Sequence, residues 1–314
     1  MAAVAFVFPG QGSQAVGMMA DLAAALPVVR ETFDEASTAL GFDLWQLVRE
    51  GPAEQLNLTH NTQPAMLAAG VAAWRAWQQQ GGPQPAVLAG HSLGEYTALV
   101  AGDAIGFVDA VRLVAERGRL MQAAVPEGTG AMAAILGLDD EQVRAACSQA
   151  AAGEVVEAVN YNSPGQVVIA GQAGAVARAV DAAKALGAKR AVMLPVSVPS
   201  HCALMRSAAE RLAEALAALD VRLPRIPVLH NVDVAVADSP AALRDRLARQ
   251  LHSPVRWVET VQRMAHDGVG LVVECGPGKV LSGLVKRIDK NLEAAAVFDA
   301  ASLAAALETA HAGK

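Results

Sequence analysis

A serine stands between two glycines in the segment Gly90-His91-Ser92-Leu93-Gly94. The apolar residues 86–89 before it predict a buried strand, and a helix is predicted to begin near Glu95. Gly-x-Ser-x-Gly between a strand and a helix is typical of a nucleophile elbow, because the glycines relieve crowding in a turn that presents the hydroxyl beside a helix N-terminus. The pattern predicts that Ser92 is the nucleophile of an acyl-transferring enzyme. The alternative is a plain strand-to-helix turn whose serine caps the helix.

A serine nucleophile needs a general base, and the chain has seven histidines. His201 stands in Pro199-Ser200-His201-Cys202, at the predicted exit from an inserted subdomain, where a loop would face Ser92 across a cleft. We predict His201 as the base, with a structural histidine as the alternative. The pattern leaves His230 and His252 open as candidates, since they lie near predicted strand or helix ends.

Acyl transfer also needs hydrogen-bond donors for the oxyanion of the intermediate. The backbone N–H of Leu93, directly after the serine, is the usual first donor of such an elbow. Gln11 lies in the loop that follows a predicted first strand over residues 4–8, at the same edge of the expected sheet. We predict Gln11 as the second donor. The alternative is a glycine-rich turn without function.

Strands and helices alternate around these residues, which favours a parallel sheet with helices on both faces. Helical patterns follow the first strand through residue 50 and recur over 64–80 and 107–124. After Pro199 the alternation resumes, with a predicted helix over 203–219 and short strands at 228–229 and 271–274. The alanine-rich segment after Leu292 predicts a last, marginal helix.

The pattern changes between these two parts of the chain. Strands are predicted at 131–136, 155–161, 166–170 and 190–196, and helices at 139–151 and 174–186. This β-α-β-β-α-β order is that of a ferredoxin-like subdomain. We therefore predict an α/β protein in which residues 126–199 form a small subdomain and residues 1–125 and 200–314 form a large one.

Composition excludes several classes of function. The net charge of −6 argues against a nucleic-acid-binding protein, which needs a basic face. Three widely spaced cysteines predict neither a disulfide framework nor a zinc site. The apolar start lacks the basic residues of a signal peptide, and no segment approaches the roughly 20 apolar residues of a membrane span. We expect a soluble cytoplasmic protein without contact to nucleic acid or membrane.

Several further segments make the chain resemble the bacterial malonyl-CoA:acyl carrier protein transacylases. The resemblance also includes the two glycine-rich turns already described. The further segments are Arg117-Gly118-Arg119-Leu120-Met121-Gln122, Tyr161-Asn162-Ser163-Pro164-Gly165-Gln166, Val198-Pro199-Ser200-His201-Cys202, Pro254-Val255-Arg256-Trp257 and Glu274-Cys275-Gly276-Pro277-Gly278. The blocks occur in order from residue 6 to residue 287. Each is weakly or moderately specific alone, and together they are highly specific.

The resemblance implies an α/β-hydrolase-like large subdomain carrying a ferredoxin-like small one. It also implies a ping-pong reaction without a cofactor, in which malonyl-CoA acylates Ser92, CoA leaves, and the phosphopantetheine thiol of acyl carrier protein takes the malonyl group for fatty-acid synthesis. His201 serves as base and acid in both halves. Gln11 and Leu93 keep their predicted places in the oxyanion hole.

The resemblance further assigns residues to the substrate. Arg117 matches the family's arginine for the free carboxylate, for which a planar guanidinium is suited. Met121, one helical turn later, is predicted to line the same pocket, and Ser200 matches the small residue beside the base in malonyl-selective members. Without the resemblance, Arg117 would be interpreted as a solvated helical arginine.

No acid stands out as a partner for the histidine. The resemblance implies instead that a main-chain carbonyl near Gln250 holds the imidazole, and that Asn231 lies close to the substrate. Glu274 and Asp233 are accordingly interpreted as structural. A carbonyl fixes the tautomer, although it stabilises an imidazolium less than a carboxylate does.

The partner acyl carrier protein is usually acidic, so docking needs a local basic patch. The best candidates are Lys189, Arg190, Lys286 and Arg287. The contact is expected to be transient, and the enzyme itself to be a monomer. Open alternatives are an acyltransferase of malonate decarboxylase or polyketide assembly, a serine thioesterase or esterase, and a catalytically silent docking subunit.

Overall fold

The computed structural model describes residues 3–126, 128–196 and 198–312, whose strands form two sheets. The strands are β1 (Ala3–Phe8), β2 (Val87–Gly90), β3 (Gly130–Leu136), β4 (Val156–Ser163), β5 (Gln166–Gln172), β6 (Arg190–Met193), β7 (Val228–Leu229), β8 (Val269–Cys275) and β9 (Glu293–Val297). The helices of the first half are α1 (Ala20–Ala25), α2 (Pro27–Leu40), α3 (Leu44–Glu50), α4 (Ala53–Leu56), α5 (Thr59–Gln79), α6 (Gly94–Ala101) and α7 (Phe107–Ala124). Those of the second half are α8 (Asp140–Ala151), α9 (Ala173–Ala185), α10 (Arg206–Ala217), α11 (Pro240–Gln250), α12 (Trp257–His266), α13 (Val280–Ile288) and α14 (Ala300–Ala312).

The larger sheet is parallel, in the order β7-β2-β1-β8-β9. Alternate residues of β1 face opposite sides of it, as the twofold period of a strand requires. Phe6 packs on one face against the indoles of Trp74 and Trp77, and Val7 lies in a cluster with Trp257 on the other. Both faces are therefore buried, which explains why the central strands are short apolar runs.

The carboxyl ends of the parallel strands meet at one edge, where α/β proteins place their ligand sites. The register pairs Phe8, the last residue of β1, with Gly90, the last residue of β2. The two glycine-rich loops that follow these strands therefore start side by side. This edge brings the loop of Gln11 to the elbow of Ser92.

The smaller sheet is antiparallel, in the order β4-β5-β3-β6. The helices α8 and α9 pack on one face of it, in a core of small apolar residues. Asp139 caps α8, because its carboxylate accepts the backbone N–H of Gln142 while the Gln142 side chain accepts that of Asp139. The predicted α/β fold with a parallel sheet and a ferredoxin-like second sheet is confirmed. The predicted boundaries of the two subdomains stay predictions.

Several predicted element bounds were wrong. Residues 293–297 are a strand paired with β8, not the start of the last helix, because an edge position beside β8 satisfies their backbone groups. The helix predicted over 203–219 divides into a 3₁₀ turn (Ala203–Met205) and α10, and the strand predicted over 190–196 ends at Met193. The helix predicted from Pro64 begins earlier, at Thr59. None of the described helices is long and apolar enough to cross a bilayer.

Candidate active site

The Ser92 turn is tight. Ser92 has a φ of 52°, in the left-handed region that non-glycine residues rarely adopt. A Cβ on Gly90 would lie 1.8 Å from the carbonyl carbon of Gly94, and one on Gly94 would lie 1.9 Å from the carbonyl oxygen of Phe8. Because no side chain fits at either place, both glycines are needed for the elbow that the sequence predicts.

His201 lies against the serine. Its Nε2 is 2.7 Å from Ser92 Oγ, and its Nδ1 is 2.8 Å from the carbonyl oxygen of Gln250. Since a carbonyl only accepts hydrogen bonds, Nδ1 carries the proton and Nε2 is left to accept the serine hydroxyl. The backbone of His201 is also left-handed, with a φ of 68°, and its N–H donates to the carbonyl of Leu251 at 2.9 Å. The arrangement has the geometry of a nucleophile and its base.

The environment of His201 keeps it neutral. The residue is only 2% exposed. Burial, and secondly the positive charge of Arg117, lower the pKa of His201 to about 3. The imidazole is therefore unprotonated at neutral pH and free to accept the serine proton.

The other histidines near the site are engaged elsewhere. His230 is fully buried, and its Nδ1 lies 2.7 Å from the carboxylate of Glu95. The Nε2 of His91 lies 2.8 Å from Oδ1 of Asn162, in the small sheet, and burial lowers the pKa of His91. Of the described histidines, only His201 forms a hydrogen bond with the Ser92 hydroxyl.

The two predicted oxyanion donors differ in position. Leu93 is buried, and its N–H makes no hydrogen bond to any described residue. The N–H of Ser92 itself donates to Oδ1 of Asn231 at 2.7 Å. Gln11 is exposed, beside a surface groove that it shares with Asn57, Thr59 and Leu194–Val196. Its part in an oxyanion hole stays a prediction, since no hydrogen bond ties it to Ser92 or His201 in the described part of the chain.

Arg117 is buried beside the nucleophile. It lies on α7, is 1% exposed, and its Nη2 is 3.5 Å from Ser92 Oγ. Nη1 donates to Oε1 of Gln63 at 2.8 Å and Nη2 to Oε1 of Gln250 at 3.0 Å. The guanidinium also lies over the ring of Tyr96, 5.3 Å from its centroid. Nε has no partner, and no carboxylate of residues 3–126, 128–196 and 198–312 forms an ion pair with this arginine.

A buried guanidinium without an acid is costly, and desolvation accordingly lowers the pKa of Arg117. A substrate carboxylate would supply the missing charge within reach of Ser92. Arg119, two residues along α7, instead pairs with Glu116 at the surface. Because residues two apart lie on different faces of a helix, Arg117 is buried while Arg119 is exposed.

Gln63 and Glu95 were missed by the sequence analysis. Gln63, on α5, holds Arg117 and also donates from Nε2 to the sulfur of Met121 at 3.4 Å. Met121 is buried beside this pair, and its place in the substrate pocket stays a prediction. The signal for Glu95 was its position, one helical turn after Ser92 in an otherwise uncharged helix. A charged residue buried in such a helix is costly unless it has hydrogen-bond partners.

Gln250 contributes more than the predicted carbonyl. Its side-chain Nε2 donates to the carbonyl of Ser92 and to Oε2 of Glu95, both at 2.9 Å. Its Oε1 accepts from Arg117, and its main-chain oxygen accepts from His201. One buried residue therefore contacts Ser92, His201 and Arg117.

Asn231 and Ser200 do not contact the arginine. Asn231 is fully buried, and its side chain accepts from the Ser92 N–H and donates to the carbonyl of Gly90 at 2.7 Å. These contacts fit a role in holding the elbow, and the predicted contact with substrate stays a prediction. The Ser200 hydroxyl lies 3.5 Å from the carbonyl of Val198, and no contact with Arg117 is seen in the described chain.

The four candidate docking residues are exposed. Arg190 is in register with Leu136, which is in register with Gln166, and Arg287 donates to Oε1 of Gln166 at 2.9 Å. The stem of Lys189 packs over Gly137. Lys286 Nζ donates to the carbonyl of Leu292 at 2.7 Å, although the residue is exposed. Strand register thus brings Arg190 and Arg287, distant in sequence, toward one surface.

Comparison with known proteins agrees with this site. Residues 5–309 match the family model described as acyl transferase domain. The chain is 61% identical over 308 residues to the malonyl CoA-acyl carrier protein transacylase of Escherichia coli K12, covering 98% of this chain and 100% of that protein.

Solved structures give the same result. An acyl carrier protein S-malonyltransferase from Vibrio cholerae superposes with a TM-score of 0.95 at 62% identity, over 96% of this chain and 99% of that one. A malonyl-transacylase in complex with a type II PKS acyl-carrier protein superposes with a TM-score of 0.97 at 59% identity, over 98% of this chain and 99% of that one. These similarities extend over both sheets.

Proposed function

We propose that this chain, which belongs to the acyl transferase family, carries its acyl group on Ser92 and recognises it through Arg117. The enzyme transfers the malonyl group of malonyl-CoA to the phosphopantetheine thiol of acyl carrier protein and so supplies fatty-acid synthesis. The predicted family and the predicted acyltransferase activity are confirmed. The individual roles of the site residues are the proposal.

The single observation that carries the choice of substrate is the state of Arg117. It is buried, lies 3.5 Å from the nucleophile oxygen, and is held by two neutral amides instead of an acid. Amides orient a guanidinium without neutralising it, so its charge stays available to a carboxylate. An acetyl group, which lacks that carboxylate, would leave the buried cation unpaired.

In the first half-reaction His201 Nε2 takes the proton of the Ser92 hydroxyl as Oγ attacks the thioester carbonyl. The carbonyl oxygen becomes an oxyanion, for which the N–H of Leu93 is the first proposed donor and Gln11 the second. When the C–S bond breaks, the imidazolium returns the proton to the sulfur of CoA. Malonyl-serine remains, with its carboxylate on Arg117.

In the second half-reaction the same groups act in reverse. His201 takes the proton of the carrier thiol, and the sulfur attacks the ester carbonyl of malonyl-serine. The C–O bond breaks, and the proton returns to Ser92 Oγ. The Gln250 carbonyl holds the imidazole in one tautomer through both halves, so no side-chain carboxylate on His201 is required. No step calls for a cofactor.

The carrier protein is proposed to dock on the surface of Lys189, Arg190, Lys286 and Arg287. Arg287 reaches the start of β5 through Gln166, and Asn162, near the end of β4, is hydrogen-bonded to His91 beside Ser92. A carrier held on this surface would therefore reach the serine with its flexible phosphopantetheine arm. Opposite charge would speed the encounter without requiring a large interface.

The intact mass of the protein after malonyl-CoA, and again after acyl carrier protein, tests this function. We expect one malonyl adduct that moves to the carrier. Ser92→Ala should take up none, whereas Ser37→Ala, which changes a serine hydrogen-bonded within and beside α2, should be labelled normally. An adduct on Ser92→Ala would refute the nucleophile. Hydrolysis without carrier as fast as transfer with carrier would favour a thioesterase instead.

A second acceptor is favoured by one observation. The relative solved with a type II PKS acyl-carrier protein is 59% identical to this chain. We propose that a polyketide carrier accepts the malonyl group by the same chemistry, and an assay with both classes of carrier tests this. Comparing kcat/KM for the two carriers ranks them. The carrier protein of a malonate decarboxylase, used in the same assay, tests the malonate-decarboxylase alternative.

A further inference from the structure

Glu95 is a carboxylate buried directly behind the site. It is 0% exposed and lies in the first turn of α6, three residues after the nucleophile. Three donors satisfy it: Nδ1 of His230 at 2.7 Å on Oε1, and the N–H of Asn231 and Nε2 of Gln250, each at 2.9 Å, on Oε2. Both oxygens of this carboxylate therefore act as hydrogen-bond acceptors. Neither Glu95 nor His230 takes part in the acyl transfer described above.

Gln250 connects this carboxylate to the reacting groups. Its amide nitrogen faces Glu95 and the Ser92 carbonyl, and its amide oxygen faces Arg117. The two ends of a glutamine amide have nearly the same shape, so neighbouring hydrogen bonds decide which end points where. A carboxylate only accepts, and it therefore draws the NH₂ end. The oxygen is left toward the guanidinium, which only donates.

We propose that Glu95, held by His230, is a positioning residue for malonyl selectivity: it fixes the amide of Gln250 so that its oxygen holds Arg117 for the substrate carboxylate. The proposal rests on the proposed function of Arg117. It differs from a role on His201, because the base is held by the main-chain oxygen of Gln250, which the orientation of the amide does not alter.

The arrangement of donors and acceptors predicts how Glu95→Gln would change the orientation of the Gln250 amide. A glutamine in place of Glu95 can donate where the carboxylate only accepted, so one of the two acceptors that hold the NH₂ of Gln250 is lost and its orientation depends on the Ser92 carbonyl and Arg117 alone. A turned amide would place NH₂ against a guanidinium, and the arginine would move away from it. A misplacement of the order of 1 Å near reacting groups is able to lower a rate about 10²-fold. Malonyl transfer needs the arginine, and acetyl transfer does not.

Glu274 offers a matched control. It is also 0% exposed, and it also accepts three hydrogen bonds, from the N–H groups of Leu281 and Ser282 and from the Ser282 hydroxyl. These donors belong to the start of α13 and not to the site. A change to glutamine there disturbs a buried carboxylate of the same kind without touching Gln250.

The test is single-turnover acylation of Ser92 by malonyl-CoA and by acetyl-CoA. We expect Glu95→Gln to lower the malonyl rate by about 10-fold to 10²-fold while the acetyl rate falls much less, so that the malonyl-to-acetyl ratio drops. Glu274→Gln should keep the wild-type ratio even if its melting temperature falls. An unchanged ratio in folded Glu95→Gln, or an equal fall in both rates, would overturn the proposal.

His230 supplies an independent arm if Glu95→Gln does not fold. Asparagine can place an amide N–H where the imidazole Nδ1 stands, and leucine cannot. We expect His230→Asn to keep most of the malonyl-to-acetyl ratio and His230→Leu to lose it; equal ratios would overturn the proposal. If the wild-type protein itself fails to take malonyl on Ser92, the proposed function falls and this inference with it. If wild-type labelling is normal and the ratios do not move, only this inference falls.

Discussion

The Nδ1 atom of His201 lies 2.8 Å from the main-chain carbonyl oxygen of Gln250, where a serine hydrolase usually has an aspartate or glutamate. The carbonyl fixes the tautomer of the imidazole but carries no full negative charge. Burial and the positive charge of Arg117 lower the pKa of His201. The imidazole of His201 is thus oriented by a neutral group in an environment that disfavours its protonated form.

The first prediction concerns pH. Because burial and Arg117 lower the pKa of His201 to about 3, the neutral base persists well below the ordinary range of histidine, near 6.5. We expect kcat/KM for acylation by malonyl-CoA to stay near its plateau as the pH falls from 7 to about 5. Stopped-flow acylation over this range measures it. A half-maximal rate near pH 6.5 would contradict the environment seen here.

Arg117→Ala tests the carboxylate site. Loss of charge-assisted hydrogen bonds should lower malonyl acylation by about 10²-fold or more, with a smaller effect on acetyl-CoA. Arg119→Ala is the matched control, since it removes an exposed arginine of the same helix that pairs with Glu116. Parallel acylation rates with both thioesters give the ratio. An unchanged preference for malonyl in Arg117→Ala would remove the proposed role.

The docking surface predicts a separation of the two half-reactions. We make two double variants, one with Lys189 and Arg190 changed to glutamate and one with Lys286 and Arg287 changed to glutamate. Each should slow the transfer of malonyl to the carrier protein by on the order of tenfold or more, and should weaken the salt dependence of that rate. Acylation by malonyl-CoA should keep its rate. The control is Lys184→Glu. This lysine lies on α9, which packs on the small sheet, and it pairs with Asp181. Equal losses from the control would show a general charge effect.

A fourth prediction concerns the elbow. Gly94→Ala should destabilise the protein by more than about 4 kcal/mol or prevent folding, because its Cβ would lie 1.9 Å from the Phe8 carbonyl oxygen. Gly283→Ala, within α13, meets no atom within 4 Å and should stabilise by about 0.5–1 kcal/mol. Denaturant unfolding compares the two. A stable Gly94→Ala protein would contradict the close approach of the two loops.

Local pattern was enough to predict the elbow, the alternation of strands and helices, and the order of the ferredoxin-like sheet. Each depends on neighbours in sequence: glycines around a serine, and apolar runs bounded by turn residues. The bounds failed where long-range pairing decides. Residues 293–297 are alanine-rich, and only the free edge of β8 makes them a strand.

The sequence alone was enough to predict the nucleophile and its turn, because the pattern that indicates them lies in five consecutive residues. The choice of His201 among seven histidines followed partly from its position and partly from family resemblance. Only the tertiary structure decided that Arg117 is buried without an ion-pair partner among the described residues. It also decided that Gln250 contacts Arg117 and that Glu95 contacts Gln250. Hydrogen bonds across 54 and 133 positions join Arg117 to Gln63 and Gln250, and no local periodicity records such distances. Folding brings these polar groups into one buried place, where each must find a partner.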